Sequence, residues 1–200
     1  LDMAASKTGA ETVLKDFSEF VRNNPDGNEW VFITGVAGII PAAQKVYSPE
    51  KLTGEEGVYS LLRSDVKSSW GQRLKFEWFT GAGYIRSLKP DVVFSLENTL
   101  PSGKLGAKTV LYIHQPLGFQ ETKRFSLLKK EERHLAIYQY FISKLIDSSA
   151  KRADRVIVQT RWMREALLKK LSVPAEKVRA ILPLLLGSAV GLDAGRIDVY

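Results

Sequence analysis

The sequence predicts an α/β fold in which a mostly parallel sheet carries helices on both faces. Short, nearly all-apolar runs recur at residues 30–34, 91–96, 109–113 and 155–159. Runs of that kind suit strands buried on both faces. Between several of them lie longer stretches with apolar residues at helical spacing. Strand and helix in alternation imply right-handed crossovers between parallel neighbours.

Each element has its own signal. Ala10, Val13, Leu14, Phe17 and Val21 form one helical stripe, and Thr8 with Glu11 three residues on reads as a capping box. Asn23-Asn24-Pro25-Asp26-Gly27 is turn chemistry that ends this helix. Trp30–Thr34 is then a strand, and Gly35–Pro41 a loop. Residues 42–75 show little pattern, with part of Ser60–Ser69 expected as helix. Trp78–Leu88 reads as a helix stopped by Lys89-Pro90, and Asp91–Leu96 as a buried strand. A polar loop follows over 97–108, then a strand over Thr109–Ile113 stopped by His114-Gln115-Pro116. Residues 118–132 are expected as a basic loop or short helix. Leu135, Tyr138, Phe141, Ile142, Leu145 and Ile146 mark a long amphipathic helix. Arg155–Gln159 is the next strand, Thr160 caps a helix bearing Trp162, Ala166, Leu167 and Leu171, and Val178–Leu182 is a last strand. Gly187–Gly195 has the composition of a linker.

Composition narrows the function. The chain has 200 residues, 44% hydrophobic and 26% charged, which fits a globular domain. No apolar run reaches the ~18 residues of a membrane-spanning helix. With no cysteine there is no disulfide scaffold, thiolate nucleophile or cysteine-ligated metal, and two histidines leave little for a metal site. Charge is uneven. Residues 1–100 hold 11 Lys and Arg against 13 Asp and Glu, while residues 101–200 hold 18 against 9. The second half is thus +9, which suits either an anionic partner or a solvated basic surface. The aromatic residues fall mostly on apolar stripes, which argues against base stacking and hence against a nucleic-acid partner.

In an open parallel sheet, ligands bind where strands end at their carboxyl side. The residues there are Gly35, Ser95 with Asn98, His114 with Gln115, and Thr160 with Arg161. The loop Ser6-Lys7-Thr8-Gly9 joins them if residues 1–3 end a strand that is cut short. Free N–H groups at that helix start attract an anion, unless the loop is merely a cap. His114 is the most informative residue, as a proton-exchanging or hydrogen-bonding group or as a structural one. Asn98 suits a sugar hydroxyl, a phosphate or a turn. His134 reads as structural or solvated. Lys123, Arg124, Lys129 and Lys130 surround Phe125, Leu127 and Leu128, which suits a membrane surface or a solvated face. Gly81-Ala82-Gly83 fails as a dinucleotide fingerprint because Arg86 takes the third glycine position. Gly103-Lys104 is no P-loop, no G-x-S-x-G elbow occurs, and no spacing suggests a metal.

Four segments in order resemble one family. Thr8-Gly9-Ala10-Glu11-Thr12-Val13-Leu14 resembles the Gly-Gly-Ala-Glu-x-x-Leu opening of GT-B glycosyltransferases of the retaining group 1, or family four, type. Lys89–Asn98 resembles their Pro-Asp-Val strand, and Val110–Pro116 the strand ending in a cleft histidine. Ala150–Thr160 resembles their Ala-Asp-x-Val-Ile-Val-x-Ser/Thr junction. The likeness spans about residues 4–183, with Thr8 standing where the family has its first glycine.

The resemblance implies a Rossmann-like domain, one half of a GT-B enzyme, over 1–186, with 187–200 as linker or tail. The donor-binding domain with its Glu-x7-Glu pair is then expected outside this stretch, and the stretch alone is expected to be inactive. The implied reaction moves a hexose from a nucleotide sugar to a glycan or lipid-linked acceptor with retention, in cell-surface polysaccharide or lipopolysaccharide synthesis. His114 would be the catalytic contact to the transferred sugar, Thr8 and Gly9 would meet the donor diphosphate, and Asn98, Gln115 and Arg124 would meet the acceptor. No metal or cofactor is implied. The place of action is cytoplasmic, peripheral at the inner membrane face. The rival expectation is a nucleotide- or anion-binding α/β domain without transferase activity.

Overall fold

The computed structural model describes residues 9–24, 27–35 and 57–181, which fall into two compact units. The first holds the described residues up to Asp91 together with Pro101–Ala107. The second holds Val92–Leu100 and those from Lys108 onward. Both are built of parallel strands with helices, so the α/β class read from the strand–helix alternation is the class observed.

In the first unit, helix α1 spans Gly9–Asn23 and ends where the Asn24 side chain and backbone both donate to the Phe20 carbonyl. Thr8, its expected cap, lies outside the described residues. Strand β1 is Trp30–Thr34, as its β-branched and aromatic run predicts. Its burial departs from expectation. Phe32 and Thr34 are buried, but Val31 and Ile33 are 37% and 38% exposed, so among the described residues β1 is covered on one face. Phe17 of α1 meets Trp30 and Phe32 edge-on at 5.4 and 6.1 Å between ring centroids, and Val21 completes this small core.

Strand β2, Val58–Leu62, takes the first residues of the Ser60–Ser69 stretch, and the helical part expected there begins at Ser64. It pairs in parallel with β1, Trp30 opposite Val58, and alternation buries Tyr59 and Leu61. Only a turn of helix, α2 (Ser64–Lys67), follows before α3 (Trp70–Lys75), capped by Ser69 Oγ. A π-helical segment, Phe76–Thr80, joins α3 to α4 (Gly81–Ser87). The helix expected from Trp78 therefore starts eight residues earlier. A Cβ on Gly81 would lie 2.6 Å from the Phe76 carbonyl and 3.0 Å from Pro101. That glycine is taken by packing, in keeping with its failure as a nucleotide fingerprint.

The second unit carries a four-stranded parallel sheet in the order β3-β4-β5-β6: Val92–Ser95, Lys108–Ile113, Arg155–Val158 and Val178–Ala180. Leu111 and Ile113 of β4, Val156 and Val158 of β5 and Val178 of β6 are fully buried. The first strand is less so, with Val92 56% exposed, against the fully buried strand expected there. Residues 118–132 form turns and loop, not helix. Helix α5 (Arg133–Ile137) runs through a π-helical segment (Tyr138–Ile142) into α6 (Ser143–Arg152), which packs on β4. Thr160 Oγ1 accepts from the Met163 N–H and caps α7 (Arg161–Lys170) as its sequence predicts. Met163 and Leu167, four residues apart, are buried as α7 packs on β5 and β6. Residues 182–200, including the expected linker, lie outside the described residues.

Asp154 ties the amino-terminal ends of β4 and β5 together. Its Oδ2 accepts from the Thr109 N–H at 2.8 Å and hydroxyl at 2.9 Å, and these two bonds hold its carboxyl below the ordinary 3.8. A depressed carboxyl contributes stability above its unfolded value and loses it as pH falls below about 4. Asp154→Asn keeps an acceptor but not the charge. At pH 7 it should be less stable by under about 1 kcal/mol, since the side chain is 44% exposed. Urea midpoints of the two proteins should converge as pH falls to about 3. A second test concerns packing. A Cβ on Gly118 would lie 2.6 Å from the Cβ of buried Ser143. Gly118→Ala should cost about 1–3 kcal/mol in urea unfolding, because a buried residue inside a continuous helix cannot retreat freely.

Candidate functional site

The carboxyl edge of the four-stranded sheet is built by the segments that leave β3, β4 and β5 and by the end of β6. Ser95 ends β3 opposite Leu111, two residues before β4 itself ends at Ile113. The N–H groups of His114 and Gln115 therefore lie beyond the strand ladder. Asn98 takes them both. Its Oδ1 accepts from His114 N–H at 2.8 Å and from Gln115 N–H at 3.0 Å, and its Nδ2 lies 3.1 Å from His114 Nε2.

The β3–β4 loop is shaped for this contact. Ser95 Oγ donates to the Thr99 carbonyl at 2.6 Å and accepts from the Glu97 N–H at 3.3 Å. Asn98 adopts φ +63°, the left-handed region that asparagine tolerates better than most residues. Farther along, the Leu100 N–H donates to Ser149 Oγ at 3.0 Å and its carbonyl accepts from Arg152 Nη2 at 2.8 Å. Helix α6 thus anchors the loop on the far side of the turn. Buried Thr99 and Leu100 flank these anchors.

His114 is half-buried at this edge, with Nδ1 in the interior. Its ring lies 5.9 Å from that of Tyr112, whose hydroxyl accepts from Gln159 Nε2 at 3.1 Å. Gln159 leaves β5, so three strand ends contribute to one connected row. Gln115 is half-buried, and its Oε1 accepts from the Leu117 N–H at 3.2 Å. The end of β6 and the start of α7 frame a cleft of about 560 Å³ lined by Arg161, Arg164, Glu165, Arg179 and Ala180. Arg164 is committed to the carbonyls of Val178 and Ala175 at 2.9 and 3.1 Å.

The remaining sequence candidates are placed as follows. Arg124 is exposed in the 118–132 loop. Lys123 pairs with Glu132 at 3.3 Å and lies over the Phe125 ring, while Lys129 and Lys130 are exposed beside Leu128, itself 91% exposed. His134 is exposed against Tyr138, with ring centroids 4.9 Å apart. Gly9 begins α1 in the first unit, and Thr8 lies outside the described residues. Among the described residues no group of three acidic or histidine side chains could hold a metal ion, and no helix is long and apolar enough to cross a membrane.

Sequence reading singles out His114 and Asn98 separately but misses their bond, and misses Gln159, Ser149 and Arg152 altogether. Only the asparagine at a turn is visible. Its partners lie 16 residues on, and the loop's anchors about 50.

Neither the curated proteins nor the solved structures yield a match to this chain. A family model, Glycosyltransferase Family 4, matches residues 9–183, and it spans both units and every element named above. With that match over most of its length and a parallel α/β architecture, the chain belongs to Glycosyltransferase Family 4.

Proposed function

We propose that this chain is the acceptor-side half of an enzyme that moves a hexose from a nucleotide sugar to a hydroxyl of a glycan or lipid-linked acceptor, with retention at the anomeric carbon. Membership of the family supports glycosyl transfer. The observation that carries the residue assignment is His114, fixed at the carboxyl edge of a parallel sheet by a neighbouring loop. That edge is where an open α/β sheet takes its ligand.

In this reading His114 contacts the sugar in transit. A fixed dipole beside the anomeric carbon favours the positive, oxocarbenium-like centre as the donor bond breaks. The backbone at Thr8 and Gly9 meets the donor diphosphate at the start of α1. Gln115 and Arg124 lie on the acceptor side, and the Asn98 amide acts through His114. The products would be surface polysaccharide or lipopolysaccharide precursors, made in the cytoplasm at the inner membrane face.

The loop over 118–132 supports the membrane part. Leu127 and Leu128 are exposed next to Lys129, Lys130 and Arg124, a pairing of apolar and cationic groups that suits an anionic bilayer surface. The arginine-lined cleft favours the second reading, an anion-binding domain without transfer.

Transfer is tested on the complete gene product with radiolabelled nucleotide hexoses and membrane acceptors. Label should enter the glycan or lipid fraction, and His114→Ala should lower turnover at least ~10-fold with an unchanged melting temperature. Nucleotide-sugar binding without any transfer would favour the second reading instead. For the loop, Leu128→Ser with Lys129→Glu and Lys130→Glu should abolish cosedimentation with phosphatidylglycerol vesicles. Binding that survives this triple change would remove the loop from the membrane contact.

A further inference from the structure

The Asn98 amide has one possible orientation. Backbone N–H groups only donate, so the atom facing those of His114 and Gln115, at 2.8 and 3.0 Å, is the carbonyl oxygen. The opposite atom is then the NH2 nitrogen, 3.1 Å from His114 Nε2. An NH2 group also only donates, so Nε2 must present a lone pair. The neutral ring then carries its proton on the buried Nδ1. Free histidine favours the other tautomer, with the proton on Nε2.

We infer that Asn98 is a positioning residue that fixes His114 as the neutral Nδ1–H tautomer, its amide NH2 holding the Nε2 lone pair and with it the plane of the ring. The residue type follows from the geometry. At φ +63° glycine, asparagine and aspartate are all suited to the turn. Glycine has no side chain to offer, and aspartate would set a second acceptor against Nε2. Asparagine alone offers an acceptor to the two backbone N–H groups and a donor to the ring.

The catalytic consequence rests on the reading above. With its Nε2 lone pair engaged by Asn98, the ring is held in one tautomer and one plane beside the place that reading gives the sugar. The tautomer itself does not depend on that reading.

The test uses 15N-histidine in this chain. The sequence has two histidines, and His134→Gln leaves His114 as the only ring. Long-range proton–nitrogen correlations are recorded at about pH 8, above the ordinary titration range of histidine. The expected spectrum has an unprotonated Nε2 and a protonated Nδ1. Asn98→Asp should move the proton to Nε2, and Asn98→Gly, which keeps the turn, should give a mixture of tautomers. A protonated Nε2 in the parent protein, or an Asn98→Asp spectrum identical to the parent, overturns the inference. The parent spectrum is decisive even if a variant fails to fold. An intact Nδ1–H tautomer in a gene product that transfers no sugar would overturn the transferase reading and leave this one standing.

Discussion

The carboxyl edge of the larger sheet depends on one carboxamide. A parallel ladder stops where its shorter strand stops, and β3 stops two residues before β4. The backbone donors just beyond would otherwise face water or be orphaned, at a cost of about 1–3 kcal/mol for each one buried. Asn98 replaces the missing strand with a side chain. Because a side chain and not a backbone fills that place, the amide has a second end. That end meets the imidazole.

The two edges of the same sheet are finished differently. At the amino-terminal edge, Asp154 and Thr109 exchange four hydrogen bonds, backbone and side chain together, and close the junction of β4 and β5. Little there is left to meet a ligand. At the carboxyl edge the connections run between side chains: Asn98 to His114, Gln159 to Tyr112. Such an edge is rigid enough to hold a ring in place and still exposes polar atoms. Helix α6 packs on β4, and its Ser149 and Arg152 hold the loop that carries Asn98.

What is legible in the sequence follows from which contacts are local. β1, β4 and β5 stand out because apolar runs mark strands without help from neighbours, and α7 because Thr160 and its stripe lie within one segment. β2 is hidden because Ser60 interrupts its apolar run, and its parallel pairing with β1 is non-local. Coverage at β1 and β3 cannot be read from their residues, since apolar composition says what a strand tolerates and not what packs over it. The π-helical segments carry no periodic signal to distinguish them from the helices they interrupt. At the site, His114 is legible by position alone, at the end of an apolar strand. The work of Asn98 is not, because a turn asparagine and a bridging asparagine are spelled the same way.

The basic surplus of the second half can now be divided. Lys169, Lys170 and Lys123 pair with Glu121, Asp147 and Glu132. Arg152 and Arg164 are bound to backbone carbonyls, and Lys177 to the Lys151 carbonyl at 2.7 Å. These cations belong to the framework, and their charge is partly answered within the fold. Arg124, Lys129 and Lys130 stand exposed on the 118–132 loop, while Arg161 and Arg179 line the cleft at the carboxyl edge. Placed cations of this kind differ from a diffuse basic field. Discrete contacts of that kind discriminate by geometry, whereas a diffuse field would attract any polyanion alike.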